Sequence, residues 1–77
     1  SENIWDLIGK DNYWFAGSDS GIYLSSDNGD KWISISSGLP ESSTVYKMTF
    51  FYEYIYIYTA SSGMWRCNID SLIANIQ

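Results

Sequence analysis

The chain has 77 residues, below the length at which one hydrophobic core gives comfortable stability, so it either folds small or borrows surface from elsewhere. Hydrophobic residues make up 45% of it and aromatics 18%, which excludes a disordered, highly charged polypeptide. Four basic residues against nine acidic ones give a formal net charge of −5, and Lys10, Lys31, Lys47 and Arg66 are scattered singly, which excludes nucleic acid and anionic membrane surfaces as expected partners.

At the start, Ser1-Glu2-Asn3 lacks the basic stretch of a signal peptide. No apolar run reaches the roughly 20 residues needed to cross a bilayer. The first residue is not methionine, so the chain is read as a mature or excised segment.

Short runs rich in Ile, Tyr, Trp, Phe, Thr and Val alternate with clusters of Gly, Asn, Asp and Ser. This pattern predicts strands over 3–8, 13–17, 22–26 and 32–36, then over 45–51, 54–59 and 64–69. Gly9-Lys10-Asp11-Asn12 is a clear hairpin turn. The corresponding Phe51-Tyr52-Glu53-Tyr54 lacks Gly and Asn, which puts the second turn in doubt. Residues 37–43, with Gly38 and Pro40, form a connecting loop, and a helical turn is expected only near 70–74.

The loop separates two similar halves. Tyr13-Trp14-Phe15-Ala16-Gly17-Ser18-Asp19-Ser20-Gly21-Ile22-Tyr23 aligns with Ile55-Tyr56-Ile57-Tyr58-Thr59-Ala60-Ser61-Ser62-Gly63-Met64-Trp65 at a constant offset of 42. A period near forty with about four strands per unit predicts β-propeller blades. Residues 1–40 form the first blade and 41–77 a second, incomplete one, about one and three-quarter blades in all.

Between the third and fourth runs lies Ser25-Ser26-Asp27-Asn28-Gly29-Asp30-Lys31-Trp32. Asp27 and Asn28 suit a turn because their side chains accept from nearby backbone N–H groups, and Gly29 can take a positive φ. Trp32 then opens the next strand and folds its indole under the turn. Ser25, Asp27, Gly29 and Trp32 match every fixed position of the Asp-box, Ser/Thr-x-Asp-x-Gly-x-x-Trp, and the stretch resembles the bacterial neuraminidase repeat of Asp-box propellers, including sortilin-like and secreted bacterial ones. The flanks 21–24 and 33–40 are similar to such repeats, and the segment from Gly63 through Ile73 looks like their last strand region. The resemblance implies an outer-rim hairpin away from the central channel, a C-terminal origin for these blades, and an extracellular or cell-surface setting.

Candidate chemistry is sparse. Asp27, Asn28 and Asp30 could form a calcium loop, but position twelve from Asp27 is Gly38 rather than Glu, so the EF-hand spacing fails. No metal and no cofactor is expected. A sialidase site, as the family implies, uses an arginine cluster, a tyrosine nucleophile and acidic partners; this chain has only Arg66. There is no histidine, hence no ordinary acid–base group for neutral pH. Asp6, Asp11, Asp19, Asp30, Glu41 and Glu53 sit mostly in turn-like contexts, as solvated acids do. No catalytic residue is assigned.

Cys67, the single cysteine, is read as a small core hydrophobe, with a reactive or intermolecular thiol as the alternative. If the whole run 52–59 is extended, Tyr52, Tyr54, Tyr56 and Tyr58 line one strand face, able to stack sugar rings or to pack against the next blade. Residues 45–59 are long, β-prone and nearly uncharged at the centre, so something must cover them.

The expectation is therefore an all-β partial propeller acting as a non-enzymatic scaffold or interaction module. Its partners are other blades of the same parent, a companion chain or further copies of itself, with protein or glycan as ligand. The alternatives are edge blades of a sialidase-like glycoside hydrolase and a self-assembling subunit forming a ring or filament.

Overall fold

The structure, a computed structural model, describes residues 3–35 and 43–74. A first antiparallel sheet has the order β1 (Ile4–Lys10), β2 (Tyr13–Ser18), β3 (Gly21–Ser25), β4 (Ile33–Ser34). A second has β5 (Val45–Phe51), β6 (Tyr54–Thr59) and β7 (Met64–Asn68), followed by a short helix α1 (Ile69–Ala74). The described residues are all-β apart from that helix. The predicted loop 37–43, except for Ser43, and the boundary at 40/41 lie outside the described residues.

Several elements differ from the sequence reading. β1 runs on to Lys10, up to the turn at Asp11-Asn12, and β4 spans Ile33–Ser34 without Trp32 or Ile35, while Ser36 lies outside the described residues. β7 ends at Asn68, whose side-chain oxygen accepts from the Ser71 backbone N–H at 3.2 Å and so caps a helix that the strand reading had begun to overrun. The doubtful second turn does form. Phe51 pairs with Tyr54 around Tyr52-Glu53, as Lys10 pairs with Tyr13 around Asp11-Asn12.

Both two-residue turns place their first residue at positive φ, Asp11 at 56° and Tyr52 at 55°. Asp tolerates that region; an aromatic residue is strained there. Tyr52→Gly is expected to stabilise the fold by about 0.5–1 kcal/mol, the relieved strain being partly offset by greater freedom of the unfolded chain. Urea unfolding checks this, and an unchanged or lowered midpoint would remove strain at Tyr52 as the explanation.

The two leading hairpins follow one plan. Each has a seven-residue strand, a two-residue turn and a six-residue strand, with a register shift near its start, between Ile4 and Asp6 and between Val45 and Lys47. Matched this way, the offset is 41 rather than the constant 42 of the sequence alignment. It becomes 42 only at Gly21 and Gly63, because the loop after Thr59 is one residue longer than the loop after Ser18.

The hairpin match of 41 shows which faces meet. Paired residues share a face of a sheet, and successive residues alternate. In the first sheet Ile8, Phe15, Ile22 and Leu24 point toward the second, where Val45, Met48, Phe50, Ile55 and Ile57 meet them. Phe15 and Phe50 touch edge to face at 5.6 Å. The hairpin-matched partner of Phe15 is Tyr56, on the outward face of the second sheet, while core-facing Ile55 and Ile57 match outward-facing Trp14 and Ala16. Two sheets related by a two-fold axis would bury matched positions in both. These stack head to tail.

β5 crosses β1 and β2, and the strands approach so closely at Gly17 that a Cβ there would lie 2.8 Å from both the Val45 side chain and its carbonyl oxygen. β5 is an edge strand, yet the Met48 backbone N–H on its open side donates to Asp6 Oδ2 at 2.8 Å. Thr44 adds a second tie, its hydroxyl donating to the Asp19 carbonyl and its carbonyl accepting from the Ala60 N–H, both at 3.0 Å. Of the β-prone stretch 45–59, β6 is paired by β7 and the open edge of β5 is held at Met48 by Asp6, while Tyr46 and Phe51 stay exposed.

Candidate functional site

The motif at 25–32 joins β3 to β4, and its hub is Ser25. This side chain is fully buried; its hydroxyl donates to Asp27 Oδ1 at 2.9 Å and accepts from the backbone N–H groups of Gly29 at 2.9 Å and Asp27 at 3.4 Å. Asp27 Oδ1 accepts also from the Lys31 N–H at 2.9 Å. Asn28 and Gly29 take the positive φ values, 67° and 97°, that turn the chain. The Trp32 indole N–H donates to the Gly29 carbonyl at 3.0 Å, which closes the turn over the ring. Asn28 departs from expectation: its side-chain oxygen faces the Trp14 indole N–H at 3.4 Å rather than a backbone donor.

The backbone N–H of Lys31, reinforced by the Ser25 hydroxyl, holds the Asp27 carboxyl below its ordinary value of 3.8. A carboxyl whose folded pKa is depressed contributes stability above its unfolded value and loses it as the pH falls through the folded one. Stability is therefore expected to drop below about pH 4 by this group. The difference between the protein and its Asp27→Asn variant, read from denaturant midpoints across pH, should shrink over the same window. A difference independent of pH would discount Asp27. The Ser25 hydroxyl and Asp27 Oδ1 thus serve the turn itself.

The row of four tyrosines becomes a row of three. Tyr54, Tyr56 and Tyr58 stand half-buried on the outward face of β6, whereas Tyr52 sits in the turn, 78% exposed, because the hairpin interrupts the extended run. Arg66 joins the row from β7, its guanidinium 4.3 Å from the centre of the Tyr54 ring, and its pKa is raised chiefly by a hydrogen bond with Tyr56. The lone arginine thus lies, exposed, beside its tyrosine neighbours. Cys67 lies on the opposite, core-facing side of β7, and burial pushes its thiol pKa up. A raised pKa lowers the thiolate fraction, so Cys67 behaves as a packing group.

Two concave surfaces escaped the sequence reading. One, of about 340 Å³, lies where the two hairpin turns meet α1; Asp11, Tyr52, Glu53 and Asp70 border it, with Tyr13 and Phe15 in its wall. The Ile69 N–H donates to the Glu53 carbonyl at 2.9 Å and ties the helix to the turn there. The other, of about 360 Å³, lies on the outward face of the first sheet and is lined by Ile4, Leu7, Ala16, Tyr23 and Trp32. Alternation along β1 and β2 was the signal that could have found it, since apolar residues recur on both faces of these strands.

Among the described residues no cluster of three or more His, Cys, Asp or Glu side chains could hold a metal ion, and no helix is long and apolar enough to cross a membrane. Compared with models of known protein families, with curated proteins and with solved structures, the chain finds no match.

Proposed function

We propose that this chain is a non-enzymatic scaffold and interaction unit, about one and three-quarter blades of an Asp-box propeller-type stack that works within a larger or oligomeric assembly and offers its surfaces to protein or carbohydrate. The observation that carries this reading is the head-to-tail stacking of two sheets built on one hairpin plan. Such stacking leaves a different unmatched face at each end, as one segment of a repeating array does. The hydrogen-bonded turn at 25–32 supports it further: the Ser25 hydroxyl and Asp27 Oδ1 hold the turn together, at the strand farthest from the β1–β5 contact.

The rival reading, edge blades of a sialidase-like hydrolase, needs a free arginine and a working acid. Assaying the purified chain against chromogenic sialosides and a panel of aryl glycosides separates the two. No turnover above background is expected. Turnover that persists through purification and disappears in Arg66→Ala would sink the scaffold reading.

A further inference from the structure

The first sheet keeps its outward face apolar, and among the described residues no element packs over it. Leu7, Trp14 and Trp32 are 53%, 37% and 39% exposed around the floor formed by Ala16. A lone exposed apolar side chain means little, but a contiguous groove of this kind marks an interaction surface.

Hairpin matching tells which surface fits. Leu7, Trp14, Ala16 and Tyr23 match Met48, Ile55, Ile57 and Trp65, the residues with which the second sheet receives the first. Conversely Phe15, Gly17 and Leu24, which the first sheet presents to the second, match Tyr56, Tyr58 and Arg66 on the outward face of the second sheet. The free groove stands where a receiving face stands, and the free tyrosine row stands where a presented face stands.

We infer that a second copy of this chain seats its Tyr54, Tyr56 and Tyr58 face in the groove of Ile4, Leu7, Ala16, Tyr23 and Trp32, continuing between copies the head-to-tail contact made within one. The inference rests on the scaffold reading above and names its partner. Shape agrees: small Ala16 forms the floor of the groove on its central strand, while the tyrosines stand in a ridge along the central strand of theirs. Charge agrees as well. Lys47 and Arg66, two of the four cations, share the tyrosine face, and the groove ends at Asn28 and Gly29, in the turn that carries Asp27 and Asp30. Because the two surfaces differ, the contact is heterologous and repeats until a ring closes or a filament grows.

Two variants test this, one blocked at each surface. Leu7→Arg sets a cation against Lys47 and Arg66, and Tyr56→Asp breaks the ridge; Ile4→Arg, at a position 56% exposed, replaces Leu7→Arg if that variant fails to keep the wild-type circular dichroism spectrum. Light scattering after size exclusion is followed from about 10 μM to about 1 mM, the range of weak association. The wild type should gain mass with concentration, each variant alone should keep the mass of one chain, and a mixture of the two should give a species of two chains, each supplying its intact surface. A wild type that remains a single chain at the top of the range would overturn the inference. So would variants that assemble as the wild type does, or a mixture that fails to pair. None of these outcomes touches the scaffold reading, which stands or falls on the glycoside assay.

Discussion

Replacing Gly17 by valine should lower the thermal midpoint by roughly 10 °C or more, the largest effect expected of any single substitution here. Gly17 lies in an ordinary extended strand, so its need for glycine comes from space rather than from φ. A Cβ would stand 2.8 Å from Val45 Cγ1, 2.8 Å from the Val45 carbonyl oxygen and 3.4 Å from the end of Met48. Met48 can swing aside. The carbonyl belongs to β5, so relieving it means shifting one sheet against the other, and overpacking of this kind costs about 1–3 kcal/mol. Gly17→Ala should show most of the loss. Adding Val45→Ala should restore only the side-chain share of it, and a double-mutant cycle measures the remainder as the backbone clash. If Gly17→Val melted with the wild type, the close stacking of β5 on β2 would be wrong.

Ser25→Ala comes next, with an expected loss of about 1–3 kcal/mol. The hydroxyl is fully buried and takes part in three hydrogen bonds, two of them from backbone N–H groups. Alanine removes the acceptor without replacing it, which leaves those donors to be satisfied some other way or not at all. Trp32→Phe in the same motif should cost less, about 0.5–1 kcal/mol, because its indole sits 39% exposed and gives up one bond that water can replace. Thermal and urea unfolding of both variants would rank them. Trp32→Phe proving the more damaging would move the hub of the turn from the serine to the indole.

The contrast shows what the motif allowed to be read in advance. Residue types and spacing located the turn, its positive φ at Gly29 and the acceptor role of Asp27, because turn chemistry is local and depends on residues a few positions apart. The importance of Ser25 depends on its burial, and burial depends on β4 and the neighbouring strands. The tyrosine row shows the same limit. Alternation over Tyr54, Tyr56 and Tyr58 was legible, but extending it to Tyr52 required knowing that the hairpin turns there. No glycine or asparagine announced it, since the chain accepts a strained tyrosine at that point.

The cleft had no sequence signature, and for the groove the alternation along β1 and β2 showed only that apolar residues fall on both faces. Each gathers residues distant along the chain, Ile4 with Trp32 in one and Asp11 with Asp70 in the other. Only the pairing of β1 with β2 and β3, and the docking of α1 at the second turn, bring them together.

By itself the sequence determined the strands, their division into two similar units and the chemistry of the turn at 25–32, all of which follow from local preference and a period of two. The tertiary structure decided how the units face each other. Aligning the halves by likeness gives an offset of 42 because that choice pairs residues of similar burial, Phe15 with Ile57. Matching the hairpins by their turns and register gives 41. A slip of one residue sends every side chain of a strand to the opposite face, so the difference between these two numbers separates a closed face-to-face pair from an open head-to-tail stack, and only the hydrogen-bonded register of the folded sheets could choose between them.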